Sequence, residues 1–289
     1  MTSSDKCLSF HLQEGAFKGH FCRLSTSITD ALKMHNYPLR VNQLLAEMAA
    51  ISHCFSADIK SGSKTTMQLT GTSPLKLALV NSQDSKFFRC CATLAQDILD
   101  SNATDTLSIP NLFGQNGKLV FTIEFSNHSY QTIIELSAAN LQDCIQHYFI
   151  QSQQIPTIIL LFSKSSFKAT ESAALLLQAT PESPGSNFFE FENDTWHHLS
   201  CLAATLKDHE LLSSGPAMEH LLNLVFNQLN PVVSRETSLS FKCTCSYERI
   251  VDILKRIQSE NKSNMDEDLH IRCESCGKKY SVDKVSIGS

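Results

Sequence analysis

Leu239-Ser240-Phe241-Lys242-Cys243-Thr244-Cys245 and, after 27 intervening residues, Cys273-Glu274-Ser275-Cys276-Gly277 decide how this chain is organised. Two close cysteine pairs separated by a long insert describe one zinc ion held by four thiolates. Leu239, Phe241, Cys243 and Cys245 alternate with Ser240, Lys242 and Thr244, so an extended strand here would put both sulfurs on one face. In the second pair, Gly277 permits the turn that wraps backbone around a metal. Four protein ligands leave no position for water or substrate, which makes the zinc structural and disfavours a hydrolytic centre. The competing reading is two disulfides in a secreted domain.

The remaining sequence argues against secretion. There are eleven cysteines, an odd number, and Cys7, Cys22, Cys54, Cys90, Cys91, Cys144 and Cys201 follow no framework spacing. The first six residues lack the basic start and apolar stretch of a signal peptide, and the longest strongly apolar run, 158–162, is far too short to span a bilayer. A soluble cytoplasmic protein with no membrane partner is expected. A length of 289 residues, 42 % hydrophobic and 18 % charged, fits one substantial core plus a smaller appendage. The net charge of −5 offers no reason for a nucleic-acid partner, and the zinc segment carries nine basic residues against eight acidic ones.

Val41, Leu44, Leu45, Met48 and 51–55 recur at helical spacing after the turn His35-Asn36-Tyr37-Pro38, predicting a buried helix from Leu39. Short alternating or branched runs at 66–70, 75–79, 119–125, 133–136, 158–162 and 175–179, bounded by Gly, Pro or Asn, predict strands. Residues 140–153 carry a helical stripe of Leu141, Cys144, Ile145, Tyr148 and Phe149. Helices covering a sheet thus give an N-terminal α/β domain over 1–180. The turn-rich stretch 180–193 is read as a surface connection, and a helical linker follows over 181–237. In it, Asn193 or Asp194 caps a helix with Trp196, Leu199, Leu202 and Leu206, and Gly215-Pro216 opens another with Leu221, Leu222, Val225 and Phe226 that stops at Asn230-Pro231. The small four-cysteine zinc-binding domain occupies 238–289, and the fold class expected is α+β.

These residues resemble the redox-regulated 33-kDa heat-shock chaperones over nearly the whole chain. Most specific is the tail: Phe241-Lys242-Cys243-Thr244-Cys245-Ser246-Tyr247-Glu248-Arg249-Ile250, then Ile271-Arg272-Cys273-Glu274-Ser275-Cys276 and Lys279-Tyr280. Arg23-Leu24-Ser25, His35-x-Tyr37-Pro38 before Leu44-Leu45-Ala46-Glu47, His147-Tyr148-Phe149, Leu175-Leu176-Leu177-Gln178 and Leu202-Ala203-Ala204-Thr205-Leu206 are similar to the family as well. The departures are Ala173-Ala174 in place of a glycine pair, the neighbouring Cys90-Cys91, and a polar insert at 259–268. The resemblance implies an ATP-independent holdase, inactive while its reduced cysteines hold one Zn2+ per chain. It implies that Cys243, Cys245, Cys273 and Cys276 are both zinc ligands and redox-active thiols, pairing on oxidation as Cys243–Cys245 and Cys273–Cys276. Unfolded clients are the implied partners, with a homodimer in the oxidised form.

Physical reasoning supports a switch. A zinc module of some fifty residues with few large apolar side chains has too small a core to fold alone. Zinc contributes roughly 10–16 kcal/mol of apparent free energy to such modules, so its loss becomes chain disorder. The preceding linker helices then lose a packing partner, and their apolar faces or the surface beneath them become a site for clients. Two residues apart in a strand, Cys243 and Cys245 would be separated by about 6.6 Å, near the upper limit for a disulfide, which favours an easily reduced bond. Forfeiting about 10 kcal/mol of metal binding moves the two-electron potential by roughly 200 mV, so peroxide or hypochlorous acid, helped by heat, is the expected trigger.

Other chemical readings are weaker. Gly62-Ser63-Lys64-Thr65 lacks the glycine spacing of a phosphate loop and is read as a polar turn. His197-His198 has no accompanying catalytic motif. Phe188-Phe189-Glu190-Phe191 is read as a packing anchor. No enzyme activity is expected. The alternative from another class is a constitutive zinc-stabilised protein-interaction adaptor that keeps its metal through oxidation.

Overall fold

The computed structural model describes residues 5–59, 62–72, 74–95, 107–114, 116–125, 128–180, 192–213, 215–261 and 269–283. The chain is α+β and divides into two compact units, Met1–Phe241 and Lys242–Ser289. The packing anchor expected at 188–191 lies outside the described residues, as do 181–191 of the surface connection and 262–268 of the polar insert.

The first unit holds two sheets. One is five-stranded and antiparallel, formed by β1 (Lys6–Leu12), β2 (Phe17–Leu24), β8 (Thr157–Ser165), β9 (Thr170–Ala179) and β10 (Val232–Ser238), in the order β10-β1-β2-β9-β8. The other contains β3 (Lys64–Thr70), β4 (Leu75–Gln83), β5 (Phe87–Leu94), β6 (Lys118–Phe125), β7 (His128–Glu135) and β11 (Ser240–Phe241), ordered β11-β5-β4-β3-β6-β7. Only β11, beside β5, pairs in parallel among these strands. Instead of one sheet covered by helices, two sheets enclose a helix: α2 (Leu39–Ser56) begins at the expected Leu39 and contacts strands of both. Its Val41, Leu44, Leu45, Met48 and Ile51 are fully buried in the core between the sheets. Helix α1 (Thr26–Leu32) is anchored by the buried Asp5 carboxylate, which accepts the backbone N–H groups of Ser25, Thr26 and Ser27 at its N-terminus.

The central strands of the five-stranded sheet, β1, β2 and β9, are buried on both faces. On β2, Cys22 and Leu24 face the core around α2, whereas Phe17 and Phe21 face a second core with Leu8, Phe10 and Leu12 of β1 and Leu175 and Leu177 of β9. This double burial explains the unbroken apolar run in β9 and the weak alternation in β1, neither of which has a solvent face to mark. The second core is covered by α5 (Glu192–Ala204), α6 (Asp208–Leu211) and α7 (Met218–Phe226), whose Leu199, Ala203, Leu211, Leu221, Leu222 and Phe226 are buried in it. Helix α5 starts at Glu192, so neither Asn193 nor Asp194 is its N-cap. The stop at Asn230 is a left-handed residue, φ 49°. β10 falls inside the segment read as a helical linker; as an exposed edge strand it carries no apolar alternation.

Candidate metal centre

In the second unit, α8 (Tyr247–Asn261) and the hairpin of β12 (Leu269–Arg272) and β13 (Lys279–Val282) surround a very small core. Val251, Leu254 and Val282 are buried in it, with Ile250, Leu269 and Ile271 packed against them. Ser246 caps α8, its hydroxyl accepting the Arg249 N–H at 3.2 Å, while the Arg249 guanidinium donates to Thr244 Oγ1. The Ser-x-Glu-Arg pattern is thus a helix start tied back to the residue between the first two cysteines.

The alternation from Leu239 to Cys245 does not make one strand. β11 ends at Phe241, and Cys243 and Cys245 lie in irregular backbone ahead of α8. The separation estimated for a strand therefore does not apply to this pair. Cys273 and Cys276 sit in the turn between β12 and β13, where Gly277, at φ 70°, donates its N–H to the Cys273 carbonyl at 2.8 Å and Cys273 N–H reaches the Lys278 carbonyl. That positive φ is the conformation expected of the glycine after the second pair.

All four sulfurs lie within 4.8 Å of one another, with Cys243–Cys273 at 3.7 Å and Cys245–Cys276 at 3.4 Å. Four sulfurs at about 2.3 Å from one tetrahedral zinc would be about 3.8 Å apart, so the cluster is positioned to hold a metal ion. Its electrostatics call for a cation. Burial raises Cys245, but hydrogen bonds from the Tyr280 hydroxyl, at 3.1 Å, and from Cys276, Cys243 and Cys273 outweigh it and bring this thiol down to about 7. Burial and then the neighbouring thiols push Cys276 up to about 12, and burial raises Cys243. Without a cation the cluster favours one thiolate and resists the next; a divalent ion would remove that resistance. Tyr280, matched only as part of a motif in the sequence, is the group that orients Cys245, and Lys278 Nζ lies 5.0 Å from its ring centre.

The other cysteines have a different setting. Cys7, Cys22, Cys54, Cys90, Cys91 and Cys144 are buried in the first unit, and Cys201 is exposed on α5. Cys7 faces Cys22 across β1 and β2, and Cys54 lies in the same core, a grouping that no sequence spacing announces. His197 contacts Cys201 at 3.7 Å. Gly62 lies in a turn and donates its N–H to Asp84, but Lys64 and Thr65, read with it as a polar turn, begin β3. No described helix is long and apolar enough to cross a membrane.

The chain matches the family model described as "Hsp33 protein" over residues 5–283. It is 34 % identical over 291 residues to the 33 kDa chaperonin of Histophilus somni (strain 129Pt), covering 99 % of this chain and 97 % of that protein. The 33 kDa chaperonin of Haemophilus influenzae (strain PittEE) is 32 % identical over 293 residues, covering 98 % of this chain and 94 % of that one. The crystal structure of the Thermotoga maritima 33 kDa chaperonin shares the fold, with a TM-score of 0.79 at 12 % identity over 99 % of this chain and 97 % of that one.

Proposed function

We propose a function from one premise: the chain belongs to the Hsp33 family. Its relatives are named 33 kDa chaperonin, and the protein is a chaperone. In our reading it is an ATP-independent holdase whose activity is set by the redox state of Cys243, Cys245, Cys273 and Cys276. Reduced, the four thiolates hold one zinc ion and the chaperone is inactive. Oxidation by peroxide joins Cys243 to Cys245 and Cys273 to Cys276, each pair of thiols giving up two electrons and two protons to one peroxide, whose O–O bond breaks to leave two waters. The metal then leaves. The segment from Lys242 loses its order, the preceding helices loosen, and apolar surface becomes available to unfolding clients in the cytoplasm, with a homodimer forming in this state.

The observation that carries this reading is the mismatch between the four-sulfur cluster and the core beside it. Among the described residues the apolar cluster buries only Val251, Leu254 and Val282, with Tyr280 buried beside Cys245, too few to hold a unit of this length, so a bound metal is the dominant tie. Supporting it is the second core, where Leu8, Phe10, Phe17, Phe21 and Leu175 are covered by helices that chain connectivity links to the cluster. The test measures zinc release with a chromogenic chelator alongside light scattering of a thermally aggregating enzyme, before and after peroxide. About one zinc released per chain, with suppression only afterwards and reversed by reductant, supports the switch. Zinc retained through oxidation, or suppression independent of redox state, favours a constitutive adaptor.

A further inference from the structure

Arg23 is only 5 % exposed, and it stands on the face of β2 that the helices cover. Its guanidinium donates to three main-chain carbonyls of one turn: Nε to Leu211 at 2.8 Å, Nη1 to Pro216 at 3.0 Å and Nη2 to Glu210 at 3.1 Å. Its charged group also lies 5.4 Å from the Phe21 ring centre. The acceptors at the end of α6 belong to the set of helix carbonyls that lack intrahelical partners, and a cation is the strongest donor they can meet. The turn is shaped to present them: a Cβ on Gly215 would stand 2.0 Å from the Glu210 carbonyl oxygen. Beside it, Glu171 of β9 accepts from the backbone and hydroxyl of Ser213.

The apolar contacts of α5 and α7 are non-directional and tolerate small slips, whereas three bonds from one planar group hold in a single register and fail together. We infer that Arg23 is a latch: by gripping the carbonyls of Glu210, Leu211 and Pro216 it sets how readily α6 and α7 leave the sheet, and so how much oxidation is needed before chaperone activity appears. The second half of this statement rests on the redox reading above; the first does not.

The test uses full-length, zinc-loaded, reduced protein carrying Arg23→Gln, Arg23→Lys or Gly215→Ala. Hydrogen exchange of the amides in α6 and α7 is followed together with zinc content, suppression of insulin aggregation under reductant, and the peroxide dose for half-maximal activity. In Arg23→Gln and Gly215→Ala these amides are expected to exchange about tenfold faster or more, with zinc retained. Arg23→Lys, which keeps the charge but loses the fork, falls between. The peroxide dose drops, and reduced Arg23→Gln suppresses insulin aggregation where the reduced parent does not. If Arg23→Gln fails to fold, Gly215→Ala decides, because it displaces the Glu210 carbonyl from the other side. Wild-type exchange in α6 and α7 of these variants overturns the latch. Faster exchange with no suppression by the reduced variants overturns the link from latch to activity, whereas no suppression by the peroxide-treated parent sinks the redox reading and leaves the grip on α6 and α7 standing.

Discussion

Two sets of cysteines share this chain, and their surroundings give them opposite roles. In the first unit Cys7, Cys22, Cys54 and Cys90 are at most 4 % exposed among dozens of apolar side chains, where burial pushes the thiols of Cys22, Cys54 and Cys90 up and a sulfur acts as a small hydrophobe. In the second, Cys243, Cys245, Cys273 and Cys276 are half-buried beside a small apolar cluster and lie within 4.8 Å of one another. There four sulfurs positioned to hold a metal ion stand where a core would be. On the function proposed above, the same contrast assigns sensitivity to oxidation to the second set alone.

The largest effect should come from removing one ligand. Cys276→Ser is expected to abolish stoichiometric zinc binding and to forfeit most of the roughly 10–16 kcal/mol that such a site contributes, unfolding the second unit while the two sheets and α2 stay folded. Circular dichroism with zinc analysis would show it, and a folded, zinc-loaded variant would break the comparison.

A second effect should be confined to the first unit. His53 is buried with both ring nitrogens unpartnered, edge-on to Phe88 at 5.5 Å, and burial lowers its pKa to about 4. Between that value and the usual 6.5 the unfolded chain binds a proton that the folded one refuses, so stability is complete above about 6.5 and falls as pH drops toward 4, by up to ~3 kcal/mol. His53→Leu should flatten this acid slope in denaturant titrations; an unchanged slope would place the titrating group elsewhere.

Smaller still, Tyr280→Phe removes the hydroxyl that donates to Cys245 and should weaken zinc binding about 10- to 100-fold in chelator competition, with the fold intact. A labelling count carries no stability change at all. In metal-free native protein, iodoacetamide should modify the four cluster thiols and Cys201, leaving the six buried cysteines unmodified until denaturant is added. Early modification of Cys7 or Cys22 would erase the distinction between the two sets.

The candidate site was legible because metal ligation constrains spacing directly: the two pairs and Gly277 needed no tertiary information. The backbone carrying it was less so. Leu239 and Phe241 alternate as strand residues, but β11 finds partners only in Phe87 and Phe88, and the cysteines beyond it follow the geometry of the cluster. In the first unit α2 was readable from Leu39 because its stripe is long and regular. β1 and β10 were not, since Lys6 pairs with Ser238 from the far end of the chain and β10 offers two exposed valines and then polar residues, with no alternation, to a local reading. The tether from Arg23 to the turn 210–216 was invisible for a related reason: its acceptors are backbone carbonyls, which no side-chain pattern records.

The most direct test of the central claim is amide hydrogen exchange of the reduced protein before and after zinc is removed by a chelator, with no oxidant present. The account predicts that α8, β12 and β13 lose protection while β1, β2, β9 and α2 keep theirs, because those strands and α2 are held by large apolar cores of their own. Protection persisting in α8 and the hairpin after zinc is gone would contradict it, since the small apolar core would then be holding the unit by itself.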